Sequence, residues 1–313
     1  MTEVLSPLPI PQLNVRPILK DQLSSSRIPS RINFDAEKHL SYSTDPNVLS
    51  LKDISLPEDT GISHVACSDP FPLFSEEAIG IMRQEIFTTE AWKYPKTLSI
   101  ISKVAGIDLI PNIEYEIGNI NISVHDSNKD KSAAMTGKAS DLSVTKWHYD
   151  SYPFVCVVMM SDASKMVGGE TAIQSGTGEV LKVRGPQMGS AVVLQGRYIC
   201  HQALAALGGE ERITMITSFR PRDPTIKDDS VLTSIRPISD PSELYYQWTK
   251  YRVEVLQERL KKMLDLLEEN RRAGNPTDVT KVKELLQQQE SYLSITNKEI
   301  VENQGSGRAR VGL

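Results

Sequence analysis

Two short runs decide how this chain folds: Trp147-His148-Tyr149-Asp150, and Arg212-Ile213-Thr214-Met215-Ile216-Thr217-Ser218-Phe219. In the second run the even positions carry Arg212, Thr214, Ile216 and Ser218, and the odd positions carry Ile213, Met215, Thr217 and Phe219. Side chains of a strand alternate between its faces. A strand here therefore sets a guanidinium and two hydroxyls on one side and mostly apolar groups on the other. A buried Arg needs an anionic partner, and its planar fork suits a carboxylate; a ligand can supply one. The first run lies in Thr145 to Met160, whose Tyr, Val and Phe content predicts a strand. Two apart on a strand, His148 and Asp150 project into the same space.

His201 follows Ala191-Val192-Val193-Leu194-Gln195, an apolar run that reads as a buried strand. Two imidazoles and one carboxylate make a facial metal-binding set that leaves other positions on the metal open, a set used by non-haem Fe(II) oxygenases. Zinc hydrolases use similar ligands but need a general base beside an activated water. Between the two His, Gly168-Gly169-Glu170-Thr171 reads as a tight turn into a strand. Glu170 is assigned there to packing rather than to the metal. Lys182 and Arg184 are basic candidates near the mouth.

Together, His148-Tyr-Asp150, His201 and Arg212-Ile-Thr214 resemble the Fe(II)/2-oxoglutarate-dependent dioxygenase superfamily. Gly168-Gly-Glu-Thr171 and Gly196 resemble its prolyl-hydroxylase-like branch, and the likeness covers residues 120–220. The resemblance implies a mainly β fold with flanking helices, built on a double-stranded β-helix (jelly-roll, cupin-like) core. It implies that His148, Asp150 and His201 hold Fe(II), and that Arg212 and Thr214 bind the distal carboxylate of 2-oxoglutarate. It also implies that O2 is consumed while 2-oxoglutarate is decarboxylated to succinate and a C–H bond of a small molecule is oxidised. Hydroxylation, desaturation and oxidative cyclisation stay open, as does a setting in secondary metabolism. Asp150 argues against halogenation, because related halogenases carry a small residue there. The alternatives are a prolyl-hydroxylase-like protein modifier and a non-catalytic cupin-like binding protein.

The rest of the sequence constrains partners. A net charge of −5 carries no nucleic-acid field. No apolar run approaches the length of a membrane span, and the N-terminus lacks the pattern of a signal peptide. Three scattered Cys, at 67, 156 and 200, form no disulfide framework and suit a cytoplasmic setting.

Outward from the centre, residues 1–60 are Pro- and Ser-rich and read as an extended N-terminal arm. His39 and His64 are expected at the surface or in loops. Helices are expected over 74–90 and 97–106, with the oxygenase core spanning 61–235. Residues 113–124 alternate as a half-buried strand, with Asn119, Asn121 and Ser123 on one face. That face lines the substrate pocket or faces solvent. His125 is expected in a loop, and the polar stretch 126–144 reads as a loop placed to act as a lid. Residues 241–303 form a C-terminal helical hairpin with leucines along one stripe, a surface for packing on the barrel edge or for a homodimer. Residues 304–313 read as a disordered tail.

Overall fold

The structure, a computed structural model, describes residues 32–84, 87–124, 145–183, 187–207 and 211–302. The arm before residue 32, His125, the 126–144 lid, Arg184 and the tail after residue 302 lie outside the described residues. By compactness the chain divides into Met1–Asn33 and Phe34–Leu313, and all the described helices and strands lie in the second unit. Residues 34–60 contribute helix α1 (Ala36–His39) and strand β1 (Val48–Ser50) to it.

The fold is mostly antiparallel sheet with helices. Strands β1, β2 (Val65–Ser68), β3 (Phe71–Pro72), β4 (Leu109–Pro111), β5 (Asn119–Val124), β6 (Phe154–Met159), β10 (Ser190–Leu194) and β13 (Glu211–Pro221) form one eight-stranded sheet, with the path β1-β2-β10-β6-β13-β4. A second sheet holds β11 (His201–Ala203), β8 (Thr171–Gln174) and β9 (Val180–Val183). Strand β7 (Val167–Gly168) pairs with β12 (Ala206–Leu207).

Alternation along β6 and β13 builds two cores. Phe154, Cys156, Val158, Ile213, Met215 and Phe219 join one cluster with helices α2 (Glu76–Met82), α3 (Thr88–Lys93) and α4 (Pro95–Ala105). Val155, Ile173, Val183 and Leu194 join the other, with Val157 and Ile216 packed against it. The expected face assignment on β13 therefore holds. Trp92 anchors the helix side, fully buried and edge-on to Phe74 and Phe219. Burying such a side chain contributes roughly 3 kcal/mol. Ser75 caps α2 by accepting the Ala78 amide, and α4 ends on Gly106 in the left-handed region. The expected 74–90 helix is two short ones, because Phe87 takes a positive φ between them. His39 is not at the surface: it is buried, its Nδ1 accepting the Asp35 amide and its ring against Phe34 and Phe87.

Two long helices close the chain, α5 (Pro241–Arg272) and α6 (Val279–Glu299). Their buried face is aromatic rather than leucine-rich. Leu244, Trp248, Tyr251, Val255 and Tyr292 cluster with Tyr152, Leu232 and Ile235, whereas Leu260, Leu286 and Leu293 stay exposed. At the centre Arg252 is 1% exposed, pairs with Asp228 at 3.4 Å and lies over the Tyr292 ring. Its Nε donates to Thr296 Oγ1 at 2.8 Å, and that hydroxyl donates to the Tyr292 carbonyl. Thr296→Val keeps the shape and removes the acceptor from a buried cation. The expected cost is about 2 kcal/mol, read as a shifted urea midpoint at unchanged slope. An unshifted midpoint would mean that this bond does not hold the helix pair.

Candidate metal centre

His201 opens β11, which pairs with β8 in the register His201↔Ile173. His148 lies outside any strand, held by a single antiparallel bridge to His201 with bonds from His148 N to His201 O (2.9 Å) and from His201 N to His148 O (3.0 Å). The expected strand over 145–160 begins only at Phe154. Pro153 precedes it and has no N–H to give a ladder. Asp150 is fixed instead by its amide, which donates to the Gly196 carbonyl at 2.8 Å. The three side chains nonetheless converge. Nε2 of His148 lies 3.6 Å from Asp150 Oδ1, and Nε2 of His201 lies 3.5 Å from Oδ2. His201 is buried, Asp150 is mostly buried and His148 is about a third exposed at the mouth. Gly196 makes room for the carboxylate, since a Cβ there would stand 1.8 Å from Asp150 Oδ2.

The backbone sets the tautomers. Nδ1 of His148 faces the Lys146 carbonyl at 2.8 Å and Nδ1 of His201 faces the Ile199 carbonyl at 2.9 Å. A carbonyl only accepts, so each Nδ1 carries a hydrogen and each neutral ring turns the Nε2 lone pair toward Asp150. Two lone pairs and a carboxylate repel one another unless a cation joins them. Burial alone would raise the Asp150 carboxyl, yet imidazoles that take a proton at Nε2 in place of a metal outweigh it and hold the carboxyl well below the usual range. The same carboxylate pushes the His148 imidazole up. Asp150 Oδ2 is buried without a hydrogen bond. One ligand atom from each residue falls within 4.8 Å of the others, so the three can hold one metal ion. Imidazole nitrogens with backbone-oriented rings and one carboxylate are a fitting donor set. Glu170 stands outside this group.

Arg212 is 8% exposed, and among the described residues it has no carboxylate partner. Its Nη2 donates to the Gly169 carbonyl at 3.3 Å, while its Nε is buried with no acceptor. Burial pushes the guanidinium's pKa down. Gly169, in the left-handed region at φ 75°, lets the backbone pass close, as a Cβ would sit 3.4 Å from Arg212 Nε. Arg212 and Thr214 line a small pocket with Val157, Met159, Thr171 and Val192. Thr171 pairs with Ala203, two residues beyond His201 on the same face of β11. The pocket is thus about two strand residues, ~7 Å, from the His201 position along the sheet. Lys182 is exposed and away from it.

No protein-family model matches this sequence, and no curated protein matches it. Solved structures similar to it include an oxidoreductase of the 2OG-Fe(II) oxygenase family from Burkholderia pseudomallei, at 14% identity and a TM-score of 0.31, covering 42% of this chain and 53% of that one. The non-heme alpha ketoglutarate dependent epimerase SnoN from nogalamycin biosynthesis is similar at 17% identity and a TM-score of 0.31, covering 45% and 59%. A prolyl-4-hydroxylase from Pseudomonas putida is similar at 13% identity and a TM-score of 0.30, covering 57% and 98%. The chain spans about half the length of the first of these, and the overlaps are partial. What the centre can do is set by its own side chains. Among the described residues no helix is long and apolar enough to cross a membrane.

Asn119 and Asn121 lie opposite Ile216 and Thr214 on β13. Paired residues of an antiparallel ladder project to one side, so both asparagines share the face of Thr214. The strand expected over 113–124 starts only at Asn119, because Glu114–Glu116 form a 3-10 turn. That turn delivers a residue the sequence did not single out. Glu116 is 6% exposed and accepts from Ser218 Oγ at 3.3 Å. Burial pushes its carboxyl up to about 7, against the pull of Ser218 and Asn119, and the Asp150 charge adds to the rise.

A carboxyl raised on folding stabilises the protein below its unfolded value, and that stability is lost as pH rises through the folded value. For Glu116 the window runs from 4.5 to about 7. It corresponds to about 3 kcal/mol at roughly 1.4 kcal/mol per tenfold change. Glu116→Gln is therefore expected to gain on the wild type by up to that amount between pH 4.5 and 8, in urea unfolding at each pH. Parallel wild-type and variant curves would show a carboxyl that ionises freely.

Proposed function

We propose that this chain is an Fe(II)- and 2-oxoglutarate-dependent oxygenase acting on a C–H bond of a small molecule. One observation supports this above the rest: a His-Asp-His group with both Nε2 lone pairs turned inward shares the sheet interior with a buried guanidinium that has no carboxylate partner among the described residues. A zinc hydrolase would use the first feature and leave the second without a purpose. Iron and 2-oxoglutarate bound here would supply the oxidant from O2, with release of succinate and CO2.

The chain's own residues orient and insulate. His148, Asp150 and His201 would hold the metal from one side and leave its other positions to ligands. Arg212 and Thr214 would take the distal carboxylate, with Arg212 giving two parallel N–H bonds. Val157, Met159 and Val192 keep water from that ion pair, which strengthens it. Asn119 and Asn121 present amides on the same face. A double-stranded β-helix is the architecture we assign to the two facing sheets. The test is succinate release from purified protein that requires both Fe(II) and 2-oxoglutarate. Slow uncoupled release is expected without any added substrate, and its absence in the presence of bound metal would refute the assignment.

A further inference from the structure

Arg212 is not the only buried ionisable group without a counter-charge. Six residues along the same face of β13, Ser218 meets Glu116. Among the described residues no Lys, Arg or His lies within ion-pair distance of that carboxylate. Its neighbours are the Ser218 hydroxyl, the Asn119 amide and, at longer range, the Asp150 charge and the Tyr152 phenol. Other unmet groups gather here. The Asn112 backbone amide donates to the Ser218 carbonyl and fixes the turn against β13, and its Nδ2 donates to Ser230 Oγ, yet among the described residues no donor meets its buried Oδ1. Tyr152, two residues after Asp150 and 1% exposed, has a buried hydroxyl with no partner among the described residues.

Buried polar groups are ordinarily satisfied, and each exception calls for a reason. Here the unmet atoms, the Asn112 amide oxygen and the Tyr152 phenol oxygen, can both accept, and the Glu116 carboxyl has hydrogen bonds from Ser218 and Asn119 but no cation. A buried water can meet hydrogen bonds but not a charge. A group with several N–H donors and a positive charge meets both. We propose that Glu116, with the Tyr152 phenol near it, is the specificity-determining group of this centre and takes a protonated amine of the substrate. The recognition deepens the oxygenase reading, and amine binding itself requires neither iron nor 2-oxoglutarate.

The test is calorimetric titration with primary amines of graded length, from butylamine to 1,6-diaminohexane and L-lysine, each against the alcohol of equal length. Wild-type protein is expected to bind at least one amine at least tenfold more tightly than its alcohol. Because Glu116 ionises as the ammonium arrives, binding near pH 7 should release protons, seen as a heat that depends on the buffer's ionisation enthalpy. Glu116→Gln should lose at least tenfold in amine affinity and lose the proton release. Tyr152→Phe should keep the proton release with weaker binding. The inference is overturned by equal binding of amines and alcohols, or by Glu116→Gln that binds amines as the wild type does. Fe(II) and 2-oxoglutarate titrations of the same variants judge the oxygenase reading separately. If those fail while amines bind, the oxygenase reading falls and this one stands.

Discussion

The Asp150→Ala protein is expected to fold and to lose Fe(II) binding by more than about a hundredfold, with no detectable turnover of 2-oxoglutarate. Removing a metal ligand should exceed the 10–100-fold that loss of an outer-shell partner costs. Folding should survive for a local reason. The Asp150 bond to Gly196 is made by its backbone amide, which Ala keeps, and its Oδ2 makes no hydrogen bond to lose. Gly196→Ala gives an independent version of the test. Its Cβ would stand 1.8 Å from Oδ2, so the carboxylate must swing away although every ligand is still encoded. Both variants should fall together in an anaerobic Fe(II) titration, with circular dichroism unchanged. Wild-type affinity in Asp150→Ala would remove this residue from the metal site.

Much of this centre was legible in the sequence because its residues carry unusual chemistry at short spacing. The even and odd positions of β13 fall on the faces that alternation assigns, with Arg212, Thr214 and Ser218 inward and Met215 and Phe219 against the helices. His148 and Asp150 converge with His201, though not for the reason strand periodicity gives. A single bridge to His201 and the Gly196 carbonyl place them, and pairings between distant segments leave no local trace. Glu116 escaped notice for a similar reason. In Ile113-Glu114-Tyr115-Glu116 it sits in an alternating run whose pattern matches a strand, while the observed turn depends on Tyr115 N donating to Gln247 and on the Tyr115 hydroxyl meeting Asp240 N. The leucine spacing on α5 and α6 located two helices but only part of their buried face: Leu256 packs against the cluster, whereas Leu260, Leu286 and Leu293 are exposed. Trp248, Tyr251 and Tyr292 bury more area than the leucines, and Arg252 is enclosed because Asp228 answers it.

Arg212 separates a structural cation from a cosubstrate anchor. As a purely structural cation it would be a poor choice, for it is 8% exposed, its Nε is unmet and its guanidinium meets one carbonyl, at 3.3 Å, among the described residues. Removing such a group should cost little stability or even relieve strain, because an unpaired buried charge is unfavourable. As an anchor, its loss breaks a desolvated charge pair with the ligand, which costs about 2–5 kcal/mol. At 1.4 kcal/mol per decade that is roughly 30- to several-thousand-fold in 2-oxoglutarate affinity. Arg212→Lys keeps the charge without the planar fork and should fall between wild type and Arg212→Ala. Fe(II) affinity should stay the same in both variants, since Arg212 is not among the converging ligand atoms. A structural role would show as lost stability with 2-oxoglutarate affinity kept, whereas the anchor role predicts lost affinity with little change in stability. The deciding measurement is a 2-oxoglutarate titration of the Fe(II) protein alongside urea unfolding of the free protein. Equal 2-oxoglutarate affinity in wild type and Arg212→Ala would place the anchor elsewhere. Arg220 would then be the next residue to test, with its own buried Nε unmet at the far end of β13.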